Sequence, residues 1–183
     1  MGAFYELDRF ELSPSQLGTL SAYKTALSLV APLLVGHFLR AEEGKPQQIG
    51  GTEGGVMLTS VAMVVLANAL EAATGPAAFY TYVAASVPMK SVGGTCWGVA
   101  TKSLLTKRLT AHAADDVGAA LGVLDVQNSL VGVVAPLLGG ALLGAVGSDG
   151  TPQAAVCLHM VMGLVLAALL PRLRDAETKP KEE

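Results

Sequence analysis

Five long apolar blocks alternate with shorter polar stretches along the chain. The blocks cover residues 17–39, 56–73, 77–105, 117–147 and 154–170. Their lengths are close to or above the roughly 20 residues that an α-helix needs to cross a hydrocarbon core of about 30 Å. The pattern predicts an all-α membrane protein with five transmembrane helices over residues 17–170. An N-terminal segment, 1–16, precedes them, and a charged tail, 171–183, follows.

The fourth block separates small and polar residues from large apolar ones. At the helical period of 3.6, one face carries Gly118, Gly122, Asp125, Ser129, Gly132, Pro136, Gly140 and Gly147. Asp125 is the only charged residue in this block, whereas a soluble amphipathic helix would carry several charges on its polar face. This composition is typical of a membrane helix whose small-residue face meets other helices or a cavity.

The overall composition supports a membrane protein and excludes several other classes. Hydrophobic residues make up 51% of the chain and charged residues 15%, against about 25% charged residues in an ordinary soluble domain. The net charge of -3 gives no reason to expect a nucleic-acid partner. The chain contains no zinc-protease motif, nucleophile elbow or glycine-rich phosphate loop, and its histidines and cysteines lack metal-ligand spacing. We therefore expect no enzyme activity, cofactor or metal.

The basic residues predict how the five helices are oriented. One side of the predicted membrane collects almost all of those that lie near block ends: Arg40, Lys45, Lys102, Lys107, Arg108, Arg172, Arg174, Lys179 and Lys181. The other side has only Arg9. Because basic residues near span ends resist translocation, the N-terminus is expected outside the cytoplasm and the C-terminus inside it.

Two near-identical segments occupy the first and fourth blocks. Residues 30–36 read VAPLLVG and residues 134–140 read VAPLLGG. These two blocks cross the predicted membrane in opposite directions, as do equivalent helices in the inverted three-helix repeats of many transporters. If the repeat is real, a helix is missing before the first block. The alternative is a chance match in a chain rich in Ala, Leu, Val and Gly.

Two longer segments resemble the major facilitator superfamily of transporters. The sequence LSPSQLGTL at residues 12–20 is similar to the start of helix eight in that family. Residues 105–140, LTKRLTAHAADDVGAALGVLDVQNSLVGVVAPLLGG, are similar to its loop between helices ten and eleven and to helix eleven. The closest likeness is to the drug:proton antiporter branch, with the tetracycline exporters and organic-cation-transporter-like carriers. The resemblance covers essentially the whole chain, as helices eight to twelve of twelve.

Some positions match the family's motifs and others depart from them. The glycines and proline of its antiporter motif, which packs helices together, correspond to Gly122, Pro136, Gly139 and Gly140. Val131 and Ala135 stand where glycines are expected. The loop 40–53 also lacks the Asp-Arg and Gly-Arg-Arg signature of the superfamily.

The resemblance implies a fold of six plus six helices with a central cavity and alternating access. The chain would then be the C-terminal part of a secondary active transporter for a small organic solute, with proton-coupled export as in the antiporter branch. Its partners would be the lipid bilayer and the N-terminal helices of the same transporter. The alternative is a half-sized membrane protein that transports nothing and acts as an assembly partner.

Three charged residues fall inside predicted cavity-lining helices: Lys24, Lys90 and Asp125. Each costs about 2.5–3.5 kcal/mol to insert, so each needs a partner, water or a function. We predict a contact or a shared cavity between Lys90 and Asp125, with Asp125 holding a proton or a cationic substrate. A purely structural ion pair is the alternative, and Lys24 could instead extend its ammonium group to the membrane surface. Asn128 and Ser129 are further candidates for the solute pathway, or for hydrogen bonds between helices.

Overall fold

Helices account for nearly all of the described residues, which are 2–39, 53–74, 77–112 and 117–178 of this computed structural model. No strand occurs among them, so the predicted all-α fold is confirmed at that level. Three parts of the chain lie outside the described residues: most of the loop 40–53, residues 75–76 between the second and third blocks, and the last residues of the tail, 179–183. Four of the basic residues on which the predicted orientation depends lie outside them too: Arg40, Lys45, Lys179 and Lys181.

Among the described residues, six α-helices and one π-helical turn follow one another along the chain. They are α1 (Gly2–Phe10), α2 (Pro14–Leu39), α3 (Glu53–Thr74), α4 (Phe79–Thr81), α5 (Val87–His112) and α6 (Val117–Thr178). A π-helical turn, Tyr82–Ser86, joins α4 to α5 without a break. Helix α5 continues past the expected end of the third block at residue 105. Helix α6 also runs through residues 148–153, where the sequence suggested a short loop.

Helix α2 begins with a capping box that the sequence encodes directly. The backbone N–H of Gln16 donates to Ser13 Oγ over 3.3 Å, and the backbone N–H of Ser13 donates to Gln16 Oε1 over 2.8 Å. Pro14 occupies the first helical position, where its missing N–H costs no hydrogen bond. The chain enters this cap from α1 through Glu11, whose φ of 50° turns the backbone sharply.

Helices α3 and α5 run antiparallel and approach each other closely. The hydroxyl of Ser86, in the π-helical turn, donates to the carbonyl of Ala67 over 3.3 Å. Further along, a Cβ added at Gly93 would lie 3.0 Å from the carbonyl oxygen of Ser60, so only glycine fits there without displacement. Nearer the other end, a buried apolar cluster fills the space between these helices and α6: Val56, Met57, Val61, Ala100 and Leu166.

Helix α6 consists of two halves, 117–146 and 148–178, that meet at Gly147. Gly147 has φ 72° and ψ 173°, a conformation that other residues rarely adopt. Asp125 in the first half contacts Lys102, and Leu166 in the second half shares a cluster with Ala100. Because Lys102 and Ala100 are neighbours on α5, Asp125 and Leu166 lie at a similar level, and the chain reverses direction at Gly147.

Large apolar side chains cover the outside of these helices. In the described part of the chain, Glu53–Thr74 and Gly118–Leu169 are long and apolar enough to cross a membrane. In the second segment, only 6% of the most apolar stretch of 18 residues is buried, whereas the core helix of a soluble protein is mostly buried. Its exposed residues include Val126 and Leu137, each at 70%. At about 1.5 Å per residue this segment would extend about 78 Å if straight, enough for two crossings.

Candidate functional site

A cavity of about 290 Å³ lies among the helices at the end where α2 begins and α3 ends. Two carboxylates, two ammonium groups and two phenols contribute to its lining: Glu6, Glu71, Lys24, Lys90, Tyr5 and Tyr82. These side chains come from α1, α2, α3, the π-helical turn and α5. The cavity therefore depends on the packing of several separate segments.

Lys90 and Glu71 form the first ion pair of the site. Lys90 Nζ lies 2.6 Å from Glu71 Oε1, and the Glu71 side chain is 2% exposed. Glu71 stands in the last turn of α3, so this contact fixes that turn against the first turn of α5. A buried carboxylate is costly without a partner, and here the ammonium group supplies one.

Lys24 and Glu6 form a second ion pair beside the first. The Lys24 ammonium contacts Glu6 Oε1, and the Glu6 side chain is 3% exposed. The hydroxyl of Tyr82 donates to the same carboxylate oxygen. Glu6 therefore receives a charged donor from α2 and a phenol donor from the π-helical turn, which holds α1 against both.

Tyr5 gives Glu71 its phenol donor. Its hydroxyl donates to Glu71 Oε2 over 3.1 Å. Burial raises the pKa of Tyr5 above its ordinary value, and the negative charge of Glu71 raises it further. The phenol consequently stays protonated at neutral pH and keeps its role as a donor. Each buried carboxylate thus has one lysine and one tyrosine partner.

Arg9 lies beside the cavity and joins α1 to two other segments. Its Nη2 donates to the carbonyl of Glu71 over 2.8 Å, and its Nη1 donates to the carbonyl of Ser148 over 3.0 Å. The Asp149 carboxylate is 3.9 Å from Nη1 and is 78% exposed, so solvent screens that pair. The two terminal nitrogens connect α1 to the last turn of α3 and to the reversal at Gly147.

The π-helical turn places Tyr82 at the site. Pro88, in the first turn of α5, has no backbone N–H and cannot complete the regular helical hydrogen bond to residue 84. A π-helical turn directly before such a proline accommodates this missing bond by shifting the register. Tyr82 stands at the first position of the turn and is 4% exposed, whereas its neighbour Tyr80 is 87% exposed.

The structure brings two of the predicted pathway residues to the cavity and leaves three elsewhere. Lys24 and Lys90 line it. Asp125, Asn128 and Ser129 lie on the first half of α6 with exposed side chains. Ser129 donates to the carbonyl of Asp125 within its own helix, over 2.9 Å, and not across helices.

The predicted contact between Lys90 and Asp125 is not formed. Lys90 contacts Glu71, and Asp125 contacts Lys102 over 3.1 Å in an exposed pair. The reason is axial distance: Lys102 lies 12 positions beyond Lys90, about 18 Å along α5, which is further than two side chains can bridge. A function for Asp125 stays a prediction without a described link to the cavity.

The predicted helix-packing positions have few neighbours in the described part of the chain. A Cβ added at Gly122 or Gly140 would meet nothing within 4 Å. Pro136 is exposed, and Gly139 is the one buried member of the four. Packing through this face therefore requires another molecule or another part of the protein, and stays a prediction.

Sequence reasoning missed five of the residues that form the site: Tyr5, Glu6, Arg9, Glu71 and Tyr82. A signal for the first three was present, because residues 5, 6 and 9 share one face of a helix and combine a phenol with both signs of charge. Glu71 was visible as the only carboxylate within the second apolar block. Tyr80 and Tyr82 both lie in the third apolar block, and the sequence pattern does not distinguish the exposed Tyr80 from the buried Tyr82.

Comparisons of the chain with protein-family models, with curated proteins and with solved structures give no match.

Proposed function

We propose that this chain is an integral membrane protein and the C-terminal part of a secondary active transporter. Its five crossings would be α2, α3, the continuous segment from α4 to α5, and the two halves of α6. The observation that supports the bilayer as its solvent is the exposed apolar surface of Gly118–Leu169, since soluble proteins rarely expose apolar patches of this extent. The N-terminus would lie outside the cytoplasm and the C-terminus inside it.

The cavity is the observation that supports a transport function. Ionisable residues between membrane helices are expensive, and those that face a cavity commonly mark a solute or ion pathway. Lys24, Glu71 and Lys90 meet there at the boundary of several helices, which is where transporters place their sites. In the proposed topology the cavity lies toward the extracytoplasmic side. The solute would be a small organic molecule exchanged for protons by alternating access.

The exposed surface of the first half of α6 supports the presence of further helices packed beside this chain. Its small residues Gly118, Gly122 and Gly132 have open space where a Cβ would stand. In the transporter proposal the six N-terminal helices and helix seven supply the missing contacts. In the second candidate, a non-transporting assembly partner, a different membrane protein covers the same face.

A flux measurement separates these two candidates. The transcript upstream of Met1 is first searched for an in-frame apolar segment, and the chain is then reconstituted in liposomes alone and joined to any such helices. If the chain is part of a transporter, the chain joined to its upstream helices should show solute flux. The Glu71→Gln variant should lose this flux, and the matched control Asp8→Asn should keep it. Absence of flux in both forms, with a stable complex to an unrelated membrane protein, would favour the assembly partner.

A further inference from the structure

The positive and negative groups of the cavity differ in their exposure, and this difference determines which charge a solute meets first. The side chains of Glu71 and Glu6 are 2% and 3% exposed, whereas Lys90 and Lys24 are each 30% exposed. The two carboxylates are buried, and each is hydrogen-bonded to a tyrosine. The two lysines form the accessible part of the charged lining. A solute that enters therefore meets positive charge first.

The lysines also have unused hydrogen-bonding capacity. An ammonium group carries three N–H donors. Within the described residues, Lys24 contacts the Glu6 carboxylate and Lys90 contacts the Glu71 carboxylate, with no other acceptor for either. Both ammonium groups line the same cavity, where their like charges repel each other. An acceptor group placed between them would satisfy free donors on both and relieve that repulsion.

The charged groups in and beside the cavity carry a positive balance. In the lining, Lys24 and Lys90 match Glu6 and Glu71, and Arg9, which contacts the Glu71 backbone beside the cavity, adds one positive charge. The Asp149 carboxylate beside Arg9 is in solvent and compensates it weakly. A low-dielectric site favours neutrality, so a single negative charge is the complement that this cluster lacks.

We propose that the cavity binds a small organic anion whose carboxylate accepts hydrogen bonds from both Lys24 and Lys90. The uncharged part of the lining combines apolar groups from Val87, Pro152 and Ala155, which suit an apolar body, with the polar side chains of Asn68, Ser91 and Thr151. The volume of about 290 Å³ is at the small end of ligand cavities and restricts the solute to a single ring or a short chain. The solute is thus an anion, in contrast to the cationic substrate that Asp125 suggested.

The test is a binding titration on the full chain in lipid nanodiscs with three matched probes. Benzoate, benzamide and benzylamine share one ring and differ in charge. We expect benzoate to bind at least 10-fold more tightly than either of the others. Binding of benzamide or benzylamine as tight as that of benzoate, or no binding of benzoate, would overturn the proposal. This comparison uses the unaltered protein and does not depend on any variant folding.

Substitutions then assign the site. Lys24→Gln and Lys90→Gln should each weaken benzoate binding at least 10-fold, and Lys102→Gln, an exposed lysine outside the cavity, should leave it unchanged. Equal benzoate binding in the unaltered protein and in folded forms of both cavity variants would place the anion elsewhere and overturn the proposal. The proposed class of solute rests on the proposed transport function, but the two can fail separately. Binding of benzoate without flux would overturn transport alone. Flux of a cation would overturn the anion site alone.

Discussion

Lys90 Nζ lies 2.6 Å from Glu71 Oε1, which joins the first turn of α5 to the last turn of α3. A second pair, between Lys24 and Glu6, joins α2 to α1 in the same cavity. Two buried carboxylates are thereby each matched to a lysine from a different helix. The arrangement makes the cavity charges part of the fold as well as candidates for function.

The Lys90–Glu71 contact predicts strong energetic coupling. In a double-mutant cycle with Glu71→Gln and Lys90→Met, we expect about 2–3 kcal/mol of coupling in the free energy of unfolding, because either single change leaves a buried charge without its partner. Unfolding in mixed detergent micelles measures it. The matched control is the Lys102–Asp125 pair, whose side chains are 53% and 66% exposed and should couple by less than about 1 kcal/mol. Equal coupling in the two cycles would contradict the burial of the first pair.

Arg9 is predicted to hold α1 over the end of the cavity. Arg9→Ala removes charged donors from the carbonyls of Glu71 and Ser148, so we expect a loss of about 1.5–3 kcal/mol in stability. Hydrogen exchange should show that protection falls first in residues 2–10. Asp8→Ala, at an exposed neighbouring position on α1, is the control and should change neither quantity. Unchanged exchange in the Arg9 variant would show that α1 is held by its other contacts.

Two adjacent glycines of α5 should respond differently to the same substitution. At Gly93 an added Cβ would stand 3.0 Å from the backbone carbonyl of Ser60, which cannot move away as a side chain could. Gly93→Ala should therefore cost about 1–3 kcal/mol through separation of α3 and α5. Gly94→Ala meets nothing within 4 Å and should be neutral or stabilising by up to about 1 kcal/mol, since alanine favours a helix. The same loss of thermal stability in both variants would contradict the close approach at residue 93.

Gly147 is predicted to be required for the reversal within α6. Its φ of 72° and ψ of 173° form a combination open essentially to glycine alone, so Gly147→Ala should cost about 1–3 kcal/mol. No atom stands within 4 Å of the added Cβ, which makes the expected cost conformational and not steric. Gly144→Ala, equally unobstructed but within regular helix, is the control. A neutral result at residue 147, measured by thermal unfolding in detergent, would indicate a straight connection.

The helical character of the chain was predictable because it follows from local patterns. The apolar blocks mark the helices, and the sequence Ser13-Pro14-Ser15-Gln16 specifies the start of α2. The reversal in α6 was also predicted near Gly147. The short loop expected after it is helical, because residues 148–153 resume a helix directly after a single glycine absorbs the turn.

The partners within the site were not predictable from local patterns. The expected contact of Lys90 with Asp125 assumed that the third helix ends near Leu105, but α5 runs to His112. Lys90 is therefore about 33 Å from that helix end, while Asp125 is about 12 Å from the start of α6. Which carboxylate meets which lysine depends on helix lengths and on the placement of α1, and sequence periodicity carries neither.

Membrane insertion, on which the proposed function depends, is tested most directly by extracting membranes from expressing cells with alkaline carbonate. We predict that the chain stays in the lipid pellet and is released only by detergent, because the apolar side chains of Gly118–Leu169 are exposed. Recovery of the chain in the aqueous supernatant, monodisperse without detergent, would contradict insertion and the transport proposal with it.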